Sequence, residues 1–272
     1  MMNPVFLELG GFSLKWYTLF VLIAVIIGLY LVCRETKRFG IKNDFILNLA
    51  FYVIIFGLIG ARLYYVIFKW DYYSNNLLEV LQIWQGGIAI HGAIIGGIIT
   101  IFVYCRKYNV RLIRYLDFVL IPLLLSQAIG RWGNFFNSEA YGGETTVQAL
   151  QSLLVPKVVI EGMYIDGAYR FPAFWFEFLA CLTLFLVFLF IRRGKYTKVG
   201  TMTGLYLMGY GVVRFFIEIN RFDALMIMGY KMAQLVSVVM FLIGLVIIMI
   251  NMRKSKFEDL YNDKNNIDTL RF

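Results

Sequence analysis

The densest group of polar residues in this 272-residue chain is the stretch GRWGNFFNSEAYG, residues 130–142. It places an arginine, Arg131, two asparagines and a glutamate directly after a hydrophobic run. A charged residue near a bilayer core costs about 2.5–3.5 kcal/mol on insertion scales, so such residues usually serve a function. Because a guanidinium group binds phosphate through two parallel hydrogen bonds, Arg131 is a candidate for binding an anionic headgroup at the end of a membrane span.

A second set of polar residues follows helical spacing. Tyr210, Arg214, Glu218 and Arg221 recur at i, i+4, i+8 and i+11, which predicts that they share one helical face. Glu218 can pair with either arginine and offset the loss of its hydration. Two interpretations stay open here: a buried ion-pair stripe that fixes helix packing, or, together with Arg131, a site for the phosphate of a phospholipid.

His91 is the only histidine in the chain and lies in WQGGIAIHGAIIGG, residues 84–97. An imidazole exchanges protons near neutral pH, so His91 is a candidate general base, although a core histidine with satisfied hydrogen bonds is the alternative. Gly92 and Gly96 have the small-xxx-small spacing that predicts close helix packing. One histidine and no clustered thiols argue against a transition-metal site.

The elements that position these residues are long apolar runs. Only 16% of the residues are charged and 60% are hydrophobic, which leaves too little polar surface for a soluble domain of this length. Runs of about 20 apolar residues predict membrane-spanning helices. We predict an all-α polytopic membrane protein, a single membrane domain over residues 1–272, with a small external cap formed by the 131–170 loop. The seven predicted spans are 17–33, 45–68, 86–105, 115–130, 171–191, 199–219 and 232–250.

The distribution of basic residues predicts the orientation. Of the 26 basic residues, 17 lie in the connections 34–42, 106–114 and 192–198 and in the tail after residue 250. The positive-inside rule makes that side cytoplasmic, so the N-terminus is expected outside and the C-terminus in the cytoplasm. This placement accounts for the net charge of +9 without a nucleic-acid partner. Asp117 falls toward the cytoplasmic end, which favours a structural role. The polar positions expected near the outer leaflet are Tyr17, Arg62, His91, Arg131, Glu177, Tyr210, Arg214 and Glu218.

On these residues the chain resembles the prolipoprotein diacylglyceryl transferases of bacteria. The 130–142 stretch matches that family's signature, roughly GRxGNFxNxExxG. The resemblance extends to GGIAIHG (86–92), to GARLYYV (60–66), to Trp16-Tyr17 and to Asp117, fourteen residues before the signature arginine. The chain departs from the family pattern at Ala93, where a second glycine is common, and at Phe171, where a histidine is common.

The resemblance implies a reaction in which the diacylglyceryl group of phosphatidylglycerol moves to the cysteine thiol in the lipobox of a prolipoprotein signal peptide. A thioether forms and glycerol phosphate leaves, with no cofactor and no metal. The expected location is the bacterial cytoplasmic membrane, with the active site toward the outer leaflet and with membrane lipids as further partners. The resemblance implies catalytic roles for Tyr17, His91, Arg131 and Arg214. It implies substrate-binding roles for Arg62, Arg131, Asn134, Glu139, Gly142, Tyr210, Arg214 and Glu218.

Two other classes of function share some of these features. A transporter or channel uses intramembrane Arg, His and Glu residues as a solute or proton path, but its site usually lies near the midplane between internal repeats. We find no internal repeat in this chain, and its charges concentrate at one leaflet. A seven-span receptor has the same orientation, but only fold analogy supports that assignment.

Overall fold

The computed structural model describes residues 4–263, except residues 10–11, 222–225 and 228. It is 70% helical. Its helices are α1 Trp16–Lys37, α2 Asn43–Phe68, α3 Trp70–Tyr73, α4 Ile90–Lys107, α5 Leu112–Phe136, α6 Val147–Ser152, α7 Lys157–Gly162, α8 Ala173–Arg192, α9 Thr201–Ile219 and α10 Met232–Arg253. All except α3, α6 and α7 are long and apolar enough to cross a membrane. The seven predicted spans are therefore confirmed and the protein is a multi-pass membrane protein, whereas its orientation stays a prediction. Lys264 and Arg271, two of the basic residues counted in the tail, lie outside the described residues.

Short antiparallel strands lie between the helices and before the first one. They were not predicted, because two to five residues give too little alternation to recognise. The pairs are β1 Val5–Leu9 with β2 Phe12–Lys15, and β6 Met226–Ile227 with β7 Tyr230–Lys231, while β3 Glu144–Thr145, β4 Tyr164–Ile165 and β5 Ala168–Arg170 form a sheet in the order β3-β5-β4. In that sheet Glu144 lies opposite Arg170.

Several helix ends differ from the predicted span boundaries by three or more residues, and two of these differences concern the candidate site. The fourth span was expected to end at residue 130, but α5 continues to Phe136. The apolar run stops at Arg131, whereas the helix continues through the polar residues that follow. The third span was expected to begin at residue 86, but α4 begins at Ile90. Gly86 and Gly87 have φ angles of +88° and +73°, which a right-handed helix does not allow.

The described residues divide into two compact units. Residues 4–31 and 116–263 form the first unit, and residues 32–115 form the second. In the first unit, α5, α8 and α9 pack around a buried apolar cluster. Asp117 of α5 is fully buried and accepts hydrogen bonds from the backbone N–H groups of Gly200 and Thr203, at 2.5 and 2.7 Å, and from the Thr203 hydroxyl at 2.6 Å. It therefore caps the N-terminal end of α9, which agrees with the structural role predicted for it.

The segment after α5 folds into a small layer with its own core. It contains α6, α7 and the three-stranded sheet, so the predicted cap is a folded element that begins after Phe136 rather than at residue 131. Thr146 caps α6 by accepting a hydrogen bond from the backbone N–H of Ala149 at 3.2 Å. The buried residues of this core are Phe135, Leu150, Val155, Val159, Ile160, Met163, Ile165 and Phe174.

In the second unit, α2 and α4 contact each other through glycines. A Cβ atom at Gly60 would lie 2.5 Å from the carbonyl oxygen of Gly92, and one at Gly96 would lie 2.5 Å from the carbonyl oxygen of Phe56. Both distances are too short for a real Cβ contact, so the two backbones approach as closely as glycine permits. The predicted small-residue packing of Gly92 and Gly96 is confirmed.

Candidate functional site

Glu177 joins three helices of the first unit. It lies in the second turn of α8, and only 1% of the residue is exposed. Its Oε1 atom is 2.7 Å from Nη2 of Arg131 in α5, and its Oε2 atom is 3.4 Å from Nη1 of Arg214 in α9. The Tyr210 hydroxyl donates a hydrogen bond to Oε1 at 3.2 Å. One buried carboxylate thus holds two arginines that are far apart in the sequence.

The ion pairs continue along α9 to its C-terminal end. Nη2 of Arg214 lies 2.7 Å from Oε2 of Glu218, and Nη1 of Arg221 lies 3.8 Å from the same oxygen. The ammonium group of Lys231 donates to the carbonyl oxygens of Glu218, Ile219 and Arg221. A cation at this position satisfies the last carbonyl groups and opposes the negative end of the helix dipole. We call the connected residues Arg131, Glu177, Tyr210, Arg214, Glu218 and Arg221 the arginine cluster.

The signature stretch adds polar groups on the other side of Arg131. Because α5 continues to Phe136, Asn134 lies one turn after Arg131, and its Oδ1 atom accepts a hydrogen bond from Nη1 of that arginine at 3.4 Å. The amide of Asn134 donates to Oε1 of Glu139 at 3.3 Å, and the amide of Asn137 donates to the same oxygen at 3.4 Å. Glu139 is therefore connected to the arginine cluster through Asn134.

The exposure of the side chains in the cluster favours an added anion. The guanidinium side chains of Arg131 and Arg214 are 21% and 18% exposed, whereas the Glu177 side chain is 2% exposed. The carboxylates are therefore buried behind arginines that remain accessible. A guanidinium group in a partly desolvated site attracts an anion more strongly than it would in water.

Two glycines of the signature make room for neighbouring segments. A Cβ atom at Gly133 would lie 2.9 Å from Cδ2 of Tyr17, which is 40% exposed in the first turn of α1. One at Gly142 would lie 2.8 Å from the carbonyl oxygen of Asn220, just after α9. The N–H of Gly142 donates to the carbonyl oxygen of Phe171 at 2.8 Å. These contacts place Tyr17 against α5 and hold the end of the signature beside the end of α9.

The second unit contains the other two predicted site residues, and Arg62 has a clear structural task there. Its guanidinium donates to the carbonyl oxygens of Glu79, Val80, Gln82, Gly86 and Gly87, at distances between 2.5 and 3.5 Å. These contacts use all five of its N–H groups and fix the segment that precedes α4. The role of Arg62 in substrate binding stays a prediction.

His91 lies in the first turn of α4 and is exposed. Its ring stacks on that of Tyr64 with 5.9 Å between centroids. Within the described part of the chain, no hydrogen bond engages its imidazole, so both ring nitrogens are available to a substrate. The alternative of a core histidine with satisfied hydrogen bonds is wrong for this residue.

Sequence reasoning missed residues that complete the first unit's site. Glu177 was placed near the outer leaflet but not among the site residues, although a carboxylate inside an apolar helix is itself a signal. The Gln127 amide donates to the Tyr206 hydroxyl at 3.0 Å, and Tyr206 stacks on Tyr210 at 5.7 Å. The i, i+4 spacing of Tyr206 and Tyr210 could have revealed their stacking. The contact of Gln127 with Tyr206 joins two helices, and no local spacing reveals it. Among the described residues, no group of three His, Cys, Asp or Glu side chains could hold a metal ion.

Comparison with known proteins agrees with the motifs. The family model described as prolipoprotein diacylglyceryl transferase matches residues 4–250. A phosphatidylglycerol–prolipoprotein diacylglyceryl transferase of Staphylococcus haemolyticus is 40% identical over 263 residues, which cover 96% of this chain and 92% of the relative. The protein of the same name from Ligilactobacillus salivarius is 43% identical over 241 residues, which cover 88% and 90% of the two chains. One from Streptococcus suis is 41% identical, with 93% and 94% covered. The chain belongs to the prolipoprotein diacylglyceryl transferase family.

Proposed function

We propose that this protein transfers the diacylglyceryl group of phosphatidylglycerol to the lipobox cysteine of prolipoproteins, the first step of bacterial lipoprotein maturation. The cysteine sulfur forms a bond to the glyceryl carbon that carries the phosphate ester. The bond between that carbon and the ester oxygen breaks, and its electrons leave with glycerol phosphate. The thiol proton passes to a base. The products are a thioether-linked lipid and a phosphate monoester.

The observation that carries the proposal is the pair of arginines on Glu177. Arg131 and Arg214 come from different helices and reach the two oxygens of one carboxylate. A phosphate also presents two oxygens to guanidinium groups and binds them in a similar geometry. The carboxylate therefore keeps both arginines at the spacing of a single anion before the lipid arrives. The phosphatidylglycerol phosphate then binds on their accessible side.

The same arginines assist the departure of the leaving group. The phosphodiester carries one negative charge, and the departing monoester gains a second as the carbon–oxygen bond breaks. Donors that are already oriented stabilise such developing charge without reorganisation, and one donor is commonly worth about 3–4 kcal/mol. Tyr210 and Glu218 hold the arginines through Glu177 and Arg214. Asn134 and Glu139 support Arg131 from the other side.

The thiol requires a base, because a free cysteine is mostly protonated at neutral pH. His91 is the residue we assign to this role, since its imidazole is exposed and within the described residues makes no hydrogen bond. Tyr17, held against Gly133, is the further catalytic candidate. The nucleophile arrives with the substrate, so the reaction calls for no catalytic cysteine and no cofactor.

The location follows from the substrates and the charge bias. The phosphate of an outer-leaflet lipid and the cysteine that follows a signal segment meet at the outer surface of the bacterial plasma membrane. A cysteine introduced at Ser138 then reacts with an impermeant maleimide from outside, while one introduced at Lys195 does not. The reverse labelling, in a background without the native cysteines, contradicts this orientation.

The proposed reaction is tested with purified protein in nanodiscs that contain phosphatidylglycerol labelled in its diacylglyceryl group. A lipobox peptide gains the mass of a diacylglyceryl group, and the matched peptide with serine in place of cysteine does not. His91→Gln abolishes the gain while the protein folds and binds lipid. An unmodified cysteine peptide after incubation with folded wild-type protein contradicts the proposal. The relatives named above carry transferase names, and no observation favours the transporter or the receptor.

A further inference from the structure

A cavity of about 540 Å³ lies in the first unit, between the end of α8, the start of α9 and the end of α10. Its lining combines the apolar side chains of Ile191, Ile248 and Met252 with those of Lys195 and Lys198. Thr201 also lines it, thirteen residues before Arg214 on α9. That separation is roughly 20 Å along a helix, so the cavity is distinct from the arginine cluster.

The walls of this cavity are held together by the segment after α10. The ammonium group of Lys198 donates to the carbonyl oxygens of Asn251 and Lys254, at 2.8 and 2.7 Å. The N–H of Tyr261, which is fully buried, donates to the carbonyl oxygen of Thr197 at 2.7 Å. Because these hydrogen bonds end on backbone carbonyl oxygens, the shape of the cavity is fixed by the backbone as well as by side chains.

Lys195, which lines the cavity, and Lys256, which lies beside it, both contact the ring of the lining residue Tyr196. The ammonium nitrogens of Lys195 and Lys256 lie 5.6 and 4.4 Å from the ring centroid of Tyr196. The nearby carboxylate of Asp259 is paired with Lys254 at 2.8 Å. Within the described residues, neither Lys195 nor Lys256 has a carboxylate at ion-pair distance. Two exposed ammonium groups thus remain for an anion from outside the chain.

We propose that this cavity binds an anionic phospholipid of the leaflet on the basic side of the protein. The lipid phosphate contacts Lys195 and Lys256, and an acyl chain lies along Ile248 and Met252. Basic pockets at the ends of membrane helices bind anionic headgroups in this way. The apolar wall distinguishes a lipid from a free phosphate ion, which gains nothing from it. The inference does not rest on the proposed reaction, because none of these residues belongs to the arginine cluster.

The test uses full-length protein in phosphatidylcholine nanodiscs that contain a photoreactive phosphatidic acid. After irradiation, mass spectrometry maps the labelled peptides. We expect labelling of residues 191–198 and 248–256. The double variant Lys195→Gln/Lys256→Gln weakens this labelling about 25-fold, because each basic residue near an anionic surface contributes about a fivefold gain in affinity. The matched variant Lys37→Gln/Lys42→Gln removes two exposed lysines that are predicted to lie on the same side of the membrane. It changes the labelling of residues 191–198 and 248–256 less than twofold.

Each other outcome overturns the inference. If Lys195→Gln/Lys256→Gln is labelled as strongly as wild type, these ammonium groups do not bind the headgroup. Equal loss in both double variants shows a general surface-charge effect. Displacement of the lipid by inorganic phosphate shows that the site takes the free ion. Because all four lysines are exposed, both variants keep the wild-type unfolding temperature in plain phosphatidylcholine. Arg131→Ala leaves the labelling of the cavity intact even if it abolishes diacylglyceryl transfer. A failure of the proposed reaction is therefore distinguished from a failure of this inference.

Discussion

Oε1 of Glu177 lies 2.7 Å from Nη2 of Arg131, and this carboxylate is almost completely buried. A buried ion pair contributes little net stability, because both partners lose their hydration. The same carboxylate also contacts Arg214 on a third helix. We therefore interpret Glu177 as the group that orients two arginines for an incoming phosphate.

The first prediction concerns Glu177→Gln, which keeps the shape of the side chain and removes its charge. The neutral amide accepts weaker hydrogen bonds, so Arg131 and Arg214 are held less firmly at the spacing of one phosphate and the headgroup of phosphatidylglycerol binds more weakly. We expect its Kd in phosphatidylcholine nanodiscs to rise about tenfold, the difference between a charge-assisted and a neutral hydrogen bond. Equilibrium binding of labelled lipid measures this change.

Glu144→Gln is the matched control, because Glu144 pairs with Arg170 in the cap at 3.1 Å. It should leave the Kd within twofold of wild type. If Glu177→Gln folds and binds phosphatidylglycerol as tightly as wild type does, the carboxylate does not orient the arginines for the phosphate.

The second prediction compares two glycines of the signature. Gly133→Ala places a methyl group against the Tyr17 ring, at a cost of about 1–3 kcal/mol, and displaces that ring. We expect the transfer rate to fall at least tenfold. Gly130 lies on the same helix, and a Cβ atom there would meet nothing within 4 Å. Gly130→Ala should therefore be neutral or stabilising by up to about 1 kcal/mol. Unfolding temperatures and transfer rates are measured for both variants. If the two variants behave identically, Gly133 is not needed to make room for Tyr17.

The third prediction concerns the cap of α9. Both oxygens of Asp117 accept hydrogen bonds, so Asp117→Asn turns an amide N–H₂ toward a backbone N–H of Gly200 or Thr203. We expect destabilisation by about 1–3 kcal/mol, measured by reversible unfolding in mixed micelles. Thr146→Ala, which removes the cap of the short helix α6, should cost about 1 kcal/mol. An Asp117→Asn variant as stable as wild type would show that the capping bonds contribute little.

The fourth prediction concerns Arg62. A lysine supplies at most three donors where the guanidinium supplies five, so Arg62→Lys should loosen residues 79–87. We expect amide hydrogen exchange there to become about tenfold faster. Arg106→Lys, at an arginine that lies over the Phe102 ring, is the control and should leave that exchange unchanged. Unchanged exchange in Arg62→Lys would mean that the segment holds its shape without these bonds.

The fold was largely predictable because a membrane span needs only length and apolar composition. The end of α5 was not predictable in this way, because the apolar run stops before Arg131 while the helix continues through the polar residues Arg131 and Asn134. Of the candidate site, the pairing of Arg214 with Glu218 followed from helical spacing. The convergence of Arg131 and Arg214 on Glu177 did not, because contacts between distant helices depend on packing that no local pattern encodes.

The central claim is that Arg131 and Arg214 bind the phosphate that leaves. It is tested most directly by the rate of diacylglyceryl transfer to a lipobox peptide, measured for Arg131→Ala, for Arg214→Ala and for the double variant. The account predicts a loss of about 10²–10³ in kcat for each single variant. The double variant should lose less than the product of the two, because both arginines act on one phosphate. Arg170→Ala, which breaks an ion pair in the cap, should stay within twofold of wild type. Folded single variants that transfer at the wild-type rate would contradict the account.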